Sequence, residues 1–287
     1  MTAARRARLD AELVRRELAP SRTAARALID AGSVRVDGVA VPKPASQVTR
    51  DQVIHVTEEG PRFASRGGLK LDGALEDLGV DVTGAVALDA GAAHGGFTDV
   101  LLRRGAAHVV AVDVAYGQLD WRLRSDDRVT LLERTNVRHL TREDLAPHRP
   151  DVIVADLSFI SLGKVLPALA SLAAERATAL PMVKPQFDAG ASAVGKGGVV
   201  RDPATWIRTM REVAATAAEL GFRTLGAAPS RAPGPAGNIE FFLHLQRGPD
   251  TPTADEGEPA ASGRTDAEAD LDALLAAAAE AGLALQG

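Results

Sequence analysis

The stretch Ala87-Leu88-Asp89-Ala90-Gly91-Ala92-Ala93-His94-Gly95-Gly96-Phe97-Thr98-Asp99 decides how this chain is read: an apolar run ends in an acid, small residues follow, and a helix begins. Glycine lets a backbone come close to a ligand, and the first turn of a helix offers unpaired N–H groups to a carboxylate. A dinucleotide loop needs G-x-G-x-x-G, whereas this one reads G-x-x-x-G-G after Asp89, which favours S-adenosylmethionine over NAD. Asp89, Gly91, Ala92, Gly95, Gly96 and Phe97 are therefore the candidate cofactor residues. The next apolar run ends in Asp113, roughly 20 positions on, where an acid reaches ribose hydroxyls. One such acid can arise by chance in any doubly wound sheet; loop and acid together are harder to dismiss. Asn136 and Asp156 close the third and fourth runs and join the cofactor candidates, Asn136 beside the adenine or as a loop cap.

Outward from this loop, apolar runs at Ala85–Asp89, His108–Asp113, Val129–Leu132, Val152–Ala155 and Ala179–Val183 alternate with helical stretches, the signature of a parallel sheet with crossover helices. Phe222–Gly226 and Ile239–Leu245 are joined by a Pro/Gly loop with no room for a helix, so they should pair antiparallel. The class is α/β: a Rossmann-like methyltransferase sheet preceded by a small α+β domain. Three strand ends then bring chemistry to one edge: Asp156-Leu157-Ser158-Phe159, Val183-Lys184-Pro185-Gln186-Phe187 and Gly237-Asn238-Ile239-Glu240. With Lys70 they make two lysines and two carboxylates. A ribose hydroxyl attacking a sulfonium methyl must lose a proton, and a lysine kept neutral by desolvation and a second cation can take it. Lys184 is the expected base, Lys70 the second cation and ribose contact, and Asp156 and Glu240 the groups that orient the amines. Read singly, each is an ordinary surface charge.

The chain has 287 residues, room for two compact units and tails. It has no cysteine, so disulfides, thiolate zinc sites and cysteine nucleophiles are excluded. The histidines are scattered, and no metal is expected. The apolar runs are strand-sized, and a basic, amphipathic N-terminus replaces a signal core; a cytoplasmic protein with no membrane partner is expected. The net charge of −5 is unevenly divided: beyond Arg247 nine acids face Arg264 alone, leaving +3 for the body, of which residues 1–66 hold +4. Such an excess suits phosphates. Within it, Leu9, Leu13 and Val14 mark one helix, Ser21 caps a second that runs to Asp30, and Gly32 ends it. Val34–Val36, the Asp37-Gly38 turn and Val39–Val41 form a hairpin, and Val53–Val56 adds a strand. Arg15, Arg22 and Arg26 are candidates for one basic face, a solvated helix surface being the bland alternative. The segments are thus 1–59, a linker at 60–66, a sheet domain at 67–247 and an acidic tail at 248–287. The tail reads as solubilising and disordered in its first half, while Asp266–Gly282 has helical composition and could pack as a terminal helix.

At these residues the sequence resembles the TlyA family of rRNA methyltransferases, within the wider FtsJ-like 2′-O-methyltransferases. The resemblance is carried by residues 5–16, Ser65-Arg66-Gly67-Gly68-Leu69-Lys70-Leu71, Asp89–Asp99, Asp156-Leu157-Ser158-Phe159-Ile160-Ser161, Lys184-Pro185-Gln186-Phe187 and Gly237-Asn238-Ile239-Glu240, almost the whole chain to Arg247. It implies a ribosomal-protein-S4-like RNA-binding domain over 1–59 and a Lys-Asp-Lys-Glu tetrad at Lys70, Asp156, Lys184 and Glu240. It implies methylation of cytidine 2′-hydroxyls in ribosomal RNA on both subunits, which confers susceptibility to capreomycin and viomycin. Ribosomal RNA and ribosomal subunits are the implied partners, a monomer is the expected state, and Arg6 and Arg66 join Arg15, Arg22 and Arg26 as RNA contacts. Two positions depart from the pattern: His94 stands where relatives carry Thr or Pro, and Arg62-Phe63-Ala64-Ser65 lacks their tryptophan. A non-catalytic RNA-binding protein that has kept the fold is the alternative from another class; a membrane-active hemolysin has little in the sequence to support it.

Overall fold

The computed structural model describes residues 6–30, 32–41, 43–56, 62–190, 193–195, 197–248 and 266–285. Arg5, residues 57–61 where the expected first segment passes into the linker, and the acidic stretch 249–265 expected to be disordered lie outside the described residues. The chain divides into two compact units, Met1–Leu69 and Lys70–Gly287.

The first unit begins with β1 (Ala7–Arg8), α1 (Leu9–Arg15) and α2 (Arg22–Asp30). Ser21 caps α2, its Oγ accepting from the N–H of Ala24 at 3.1 Å, and Gly32 ends the helix at φ 75°. Then come β2 (Val34–Val36), β3 (Val39–Ala40), β4 (Gln47–Val48) and β5 (Ile54–Val56). Asp37 and Gly38 both take positive φ, 50° and 83°, which matches the twist of a two-residue hairpin and joins β2 to β3. β5 pairs with the other side of β2, and β1 pairs antiparallel with β4. That second pairing was not expected, because strands of two residues have no periodicity to read. Leu9, Leu13, Ala25, Ile29, Val34, Val36, Val48 and Ile54 form the core of this unit.

The second unit contains most of α3 (Gly67–Asp77), then β6 (Val86–Ala90), α4 (Gly96–Arg103), β7 (His108–Val112), α5 (Trp121–Arg124), β8 (Val129–Leu132), β9 (Val152–Ala155), α6 (Leu166–Leu172), β10 (Ala177–Val183), α7 (Pro185–Asp188), α8 (Pro203–Glu219), β11 (Arg223–Pro229), β12 (Phe241–Arg247) and α9 (Asp266–Ala284). One seven-stranded sheet runs β11-β12-β10-β9-β6-β7-β8. β10, β9, β6, β7 and β8 are parallel, while β12 is antiparallel to both neighbours. The central strand β9 is buried at all four positions, as a parallel strand covered on both faces must be. Alternation on β12 shows the two layers: Phe241 packs on Trp206 of α8 at 5.5 Å between ring centres, and its neighbour Phe242 packs on Phe97 of α4 at 5.9 Å.

Chain order reverses beside β6: β7 and β8 follow on one side and β9 and β10 on the other. Ligands of doubly wound sheets bind at the carboxyl ends of the strands flanking such a reversal. Of the two readings of Asp266–Gly282, solubilising tail and packed terminal helix, the structure shows the helix packed. Leu275, Ala278 and Ala279 of α9 are buried in the main core, and Arg211 of α8 meets Asp272 at 2.5 Å. A Cβ on Gly282 would lie 3.2 Å from Ile239 and Phe241, so the absence of a side chain there lets α9 lie close to the sheet.

Candidate active site

The loop from β6 to α4 is held open by its own backbone. The N–H groups of Gly91 and Ala92 both donate to the carbonyl of Val112 at the end of β7, at 2.9 and 3.1 Å. Gly91 takes φ 91°, and a Cβ there would sit 2.5 Å from the carbonyl oxygen of Asp156, so only glycine lets the ends of β6 and β9 approach this closely. Gly95, at φ 89°, is the cap residue of α4, and its Cβ would strike Leu119 and Leu123. Gly96 opens the helix, Ala92 is buried, and His94 is exposed. Phe97 turns its ring into the core against Phe242, so at this loop it can offer only backbone.

Asp89 lies beneath the loop at 0% exposure. Its Oδ2 accepts from the Thr98 hydroxyl at 2.6 Å, while Oδ1 is buried without a hydrogen-bond partner. Burial, reinforced by repulsion from Asp156 and Asp113 and opposed by the Thr98 hydrogen bond, pushes its carboxyl up to about 7. Asp113 braces the loop: its Oδ2 accepts from Ala93 N–H at 2.8 Å and its Oδ1 from Ala115 N–H at 2.7 Å. Each of these oxygens keeps a further lone pair for a hydroxyl. Of the two readings of Asn136, the structure shows the cap: its Oδ1 accepts from Arg138 N–H at 3.1 Å at the start of a short 3-10 helix.

Four charged side chains meet at the carboxyl edge of the sheet. Val183 pairs with Phe241 across β10 and β12, which puts Lys184 and Glu240 at facing strand ends, and Pro181 pairs with Ala155, which brings the loop after β9 alongside. Lys184 Nζ lies 2.5 Å from Asp156 Oδ1 and donates to Ser158 Oγ at 3.0 Å. Lys70 Nζ, from α3, donates to Glu240 Oε2 at 2.5 Å, and the Gln186 amide donates to Glu240 Oε1 at 3.0 Å. Glu240 is 0% exposed and Lys184 5% exposed, so these are desolvated pairs. Losing one partner of such a pair costs about 3–5 kcal/mol. The Phe187 ring centre is 5.9 Å from the Lys184 amine and 5.2 Å from the ring of Phe159, which is almost fully exposed.

Several residues around the four had no role assigned from sequence. Ser158 and Gln186 lie within the strand-end motifs, two positions after Asp156 and Lys184, and that spacing was their only signal. A Cβ on Gly234 would collide with Glu240 Oε1, so this glycine makes room for the carboxylate. Asn238 is buried; its side chain accepts from Val200 N–H at 3.0 Å and donates to the Gly198 carbonyl at 2.9 Å. It thereby fastens the glycine-rich segment before α8 to the approach to β12. Asp188 accepts from the N–H of Leu162 at 2.9 Å and of Lys184 at 3.2 Å, and burial raises its pKa.

In the first unit, the arginines do not form a plain solvated face. Asp10, fully buried on α1, accepts from Arg8 at 3.0 and 2.9 Å, from Arg22 at 3.0 Å and from Arg26 at 3.4 Å. Arg8 foremost, with Arg22 and Arg26, holds this carboxyl far below the usual range, against the cost of burial. Arg15 belongs to another group: it and Arg16 bind the buried Glu12, at 2.5 and 2.8 Å. Helical spacing placed Arg15, Arg22 and Arg26 together; the structure divides them between two buried acids. Arg22 and Arg26 remain exposed, Arg6 is exposed, and Arg66 is half-buried just before α3.

Residues 63–247 match the FtsJ-like methyltransferase family, and residues 7–54 match the S4 domain. The chain is 55% identical over 244 residues to the 16S/23S rRNA (cytidine-2'-O)-methyltransferase TlyA of Mycobacterium tuberculosis, covering 85% of this chain and 91% of the relative. It is 32% identical over 183 residues to the 23S rRNA (cytidine-2'-O)-methyltransferase TlyA of Campylobacter jejuni, covering 63% of this chain and 70% of the relative. Among solved structures it superposes with TM-score 0.72 on a Streptococcus thermophilus protein that carries a hemolysin name, at 34% identity and with 99% of each chain covered. No helix among the described residues is long and apolar enough to cross a membrane.

Proposed function

Because the chain belongs to the TlyA family of rRNA methyltransferases, within the FtsJ-like methyltransferases, we propose that it methylates the ribose 2′-hydroxyl of cytidines in ribosomal RNA. The observation that carries the reading is the meeting of two lysine–carboxylate pairs, Lys184–Asp156 and Lys70–Glu240, at the sheet edge where the Gly91 loop touches the backbone of Asp156.

The loop suits S-adenosylmethionine. Gly91 keeps the strand ends open to a ligand, the first turn of α4 suits a carboxylate, and the buried, unpartnered Oδ1 of Asp89 suits a cationic neighbour. The backbone of Gly91, Ala92, Gly95, Gly96 and Phe97, together with Asp113, would hold it. When bound, it supplies a methyl group on a sulfonium, open to in-line attack. The protein's own groups handle the proton. Lys184 takes it from the 2′-hydroxyl as that oxygen becomes the nucleophile, and Asp156 holds the amine in place. Lys70, fixed by Glu240 and through it by Gln186, offers a positive charge to the ribose oxygen.

RNA engagement falls to the first unit, Arg66 included. Three guanidinium groups around the one carboxylate of Asp10 leave a local excess of positive charge, and Arg6, Arg22 and Arg26 are exposed. Buried acids hold several of these arginines in fixed positions, which lowers the ordering cost of a phosphate contact. Identity to the 16S/23S relative, over more of the chain than to the 23S relative, supports modification of both subunits. Loss of activity would then reduce susceptibility to capreomycin and viomycin. Mass spectrometry of ribosomal RNA from cells with and without the gene tests the reading: ribose-methylated cytidines should disappear in the deletion, and an unchanged inventory rejects it.

A further inference from the structure

Ser158 has no role in the proposed chemistry, yet its hydroxyl oxygen is one of two acceptors on the Lys184 amine. We propose that Ser158 is a positioning residue that aims Lys184 as a base; this rests on the reading of Lys184 as the proton acceptor.

In the form that acts as base, the Lys184 amine carries two N–H bonds and one lone pair. Asp156 Oδ1, at 2.5 Å, takes one N–H, since an ionised carboxylate can only accept. With Asp156 alone, the amine still has two ways to turn about its last carbon–nitrogen bond, one presenting the lone pair to the substrate and the other an N–H. The second acceptor removes that choice. Ser158 Oγ, at 3.0 Å, takes the other N–H and leaves the lone pair in the remaining direction. Ser158 is itself exposed, so its own hydrogen can go to water, leaving the oxygen free to accept from the amine.

The backbone fixes this arrangement. The Asp188 carboxylate accepts from Leu162 N–H at 2.9 Å and from Lys184 N–H at 3.2 Å, bracing the segment that carries Ser158 against the strand end that carries the lysine. Phe159 follows at φ 64°, a left-handed turn that a bulky residue seldom adopts, and it redirects the chain immediately after the serine.

The test is steady-state methylation of purified ribosomal subunits by full-length protein with labelled cofactor, together with cofactor affinity by calorimetry, for Ser158→Ala, Ser158→Thr and Lys184→Ala. Ser158→Ala should lower kcat about tenfold, the rate equivalent of one hydrogen bond to a catalytic amine, with KM for subunits and cofactor affinity unchanged. Ser158→Thr, which keeps the hydroxyl, should restore kcat to within about threefold of wild type, a loss of under 1 kcal/mol. A wild-type kcat in Ser158→Ala, a loss carried by KM, or a loss that threonine does not repair overturns the proposal. Full activity in Lys184→Ala defeats the base reading itself, whereas inactivity there with a wild-type Ser158→Ala defeats only the role of the serine.

Discussion

The substitution Asp89→Asn keeps the shape of the side chain and removes its charge, and the structure says what that charge costs. The carboxylate is 0% exposed, its Oδ1 has no partner, and its pKa rises from 3.8 to about 7, chiefly through burial. A rise of that size corresponds to about 4 kcal/mol of penalty on the ionised form. The sign follows from proton counts. Between the unfolded and folded pKa values the folded state binds the extra proton, so this group's contribution to stability falls as pH rises from about 4 to about 7 and is level above that. The asparagine side chain of the variant titrates nowhere in this range, and its amide oxygen can still accept from Thr98. Urea denaturation without cofactor, repeated from about pH 4.5 to about pH 8, should therefore show the two proteins drawing apart with pH. At about pH 4.5, above the unfolded value of 3.8, about 1 kcal/mol of the penalty is already present beside the exchange of hydroxyl for amide; toward about pH 8 the variant should gain about 3 kcal/mol more over wild type. The same substitution should weaken binding of the cationic cofactor at the alkaline end, where the wild-type carboxylate is charged. A stability difference that does not change with pH would refute the reasoning.

Three further variants probe other parts of the account. Gly91→Ala forces a side chain into φ 91° and against the Asp156 carbonyl; it should cost about 2–4 kcal/mol by urea denaturation and greatly reduce cofactor affinity by calorimetry, whereas wild-type affinity would show the loop is not the pocket. Leu275→Ala, in the buried face of α9, should cost about 2–4 kcal/mol by the same denaturation assay while leaving kcat at about 25 °C near wild type; no loss of stability would mean α9 does not pack as described. Arg22→Ala combined with Arg26→Ala should weaken binding to ribosomal subunits and lower the slope of log affinity against log salt by about 2; an unchanged slope removes both from the phosphate contacts.

The central sheet was legible because parallel strands covered on both faces must be continuous apolar runs, as Val152–Ala155 is, and because a glycine loop after such a strand has few other uses. The same logic placed Asp156, Lys184 and Glu240 at strand ends, though pattern alone could not say which carboxylate takes which lysine. Pairing across β10 and β12 decides that, and register between strands distant in sequence leaves little local trace. The grouping of Arg15, Arg22 and Arg26 on one face failed for a different reason: helical spacing does not show that Asp10 and Glu12 are buried, and Arg22 and Arg26 turn to Asp10 while Arg15 turns to Glu12. The composition of α9 gave its helicity. It could not give the core contact of Leu275, because an alanine-rich stripe has weak amphipathic contrast and the surface it meets is built by β11 and α8, far earlier in the chain.

The most direct test of the central claim is methylation of purified ribosomal subunits by Lys184→Ala, with cofactor binding measured on the same preparation. If the amine at the end of β10 removes the ribose proton, the variant binds cofactor as wild type does and transfers no methyl groups. Methyl transfer at the wild-type rate would contradict the account, however well the four charges are placed.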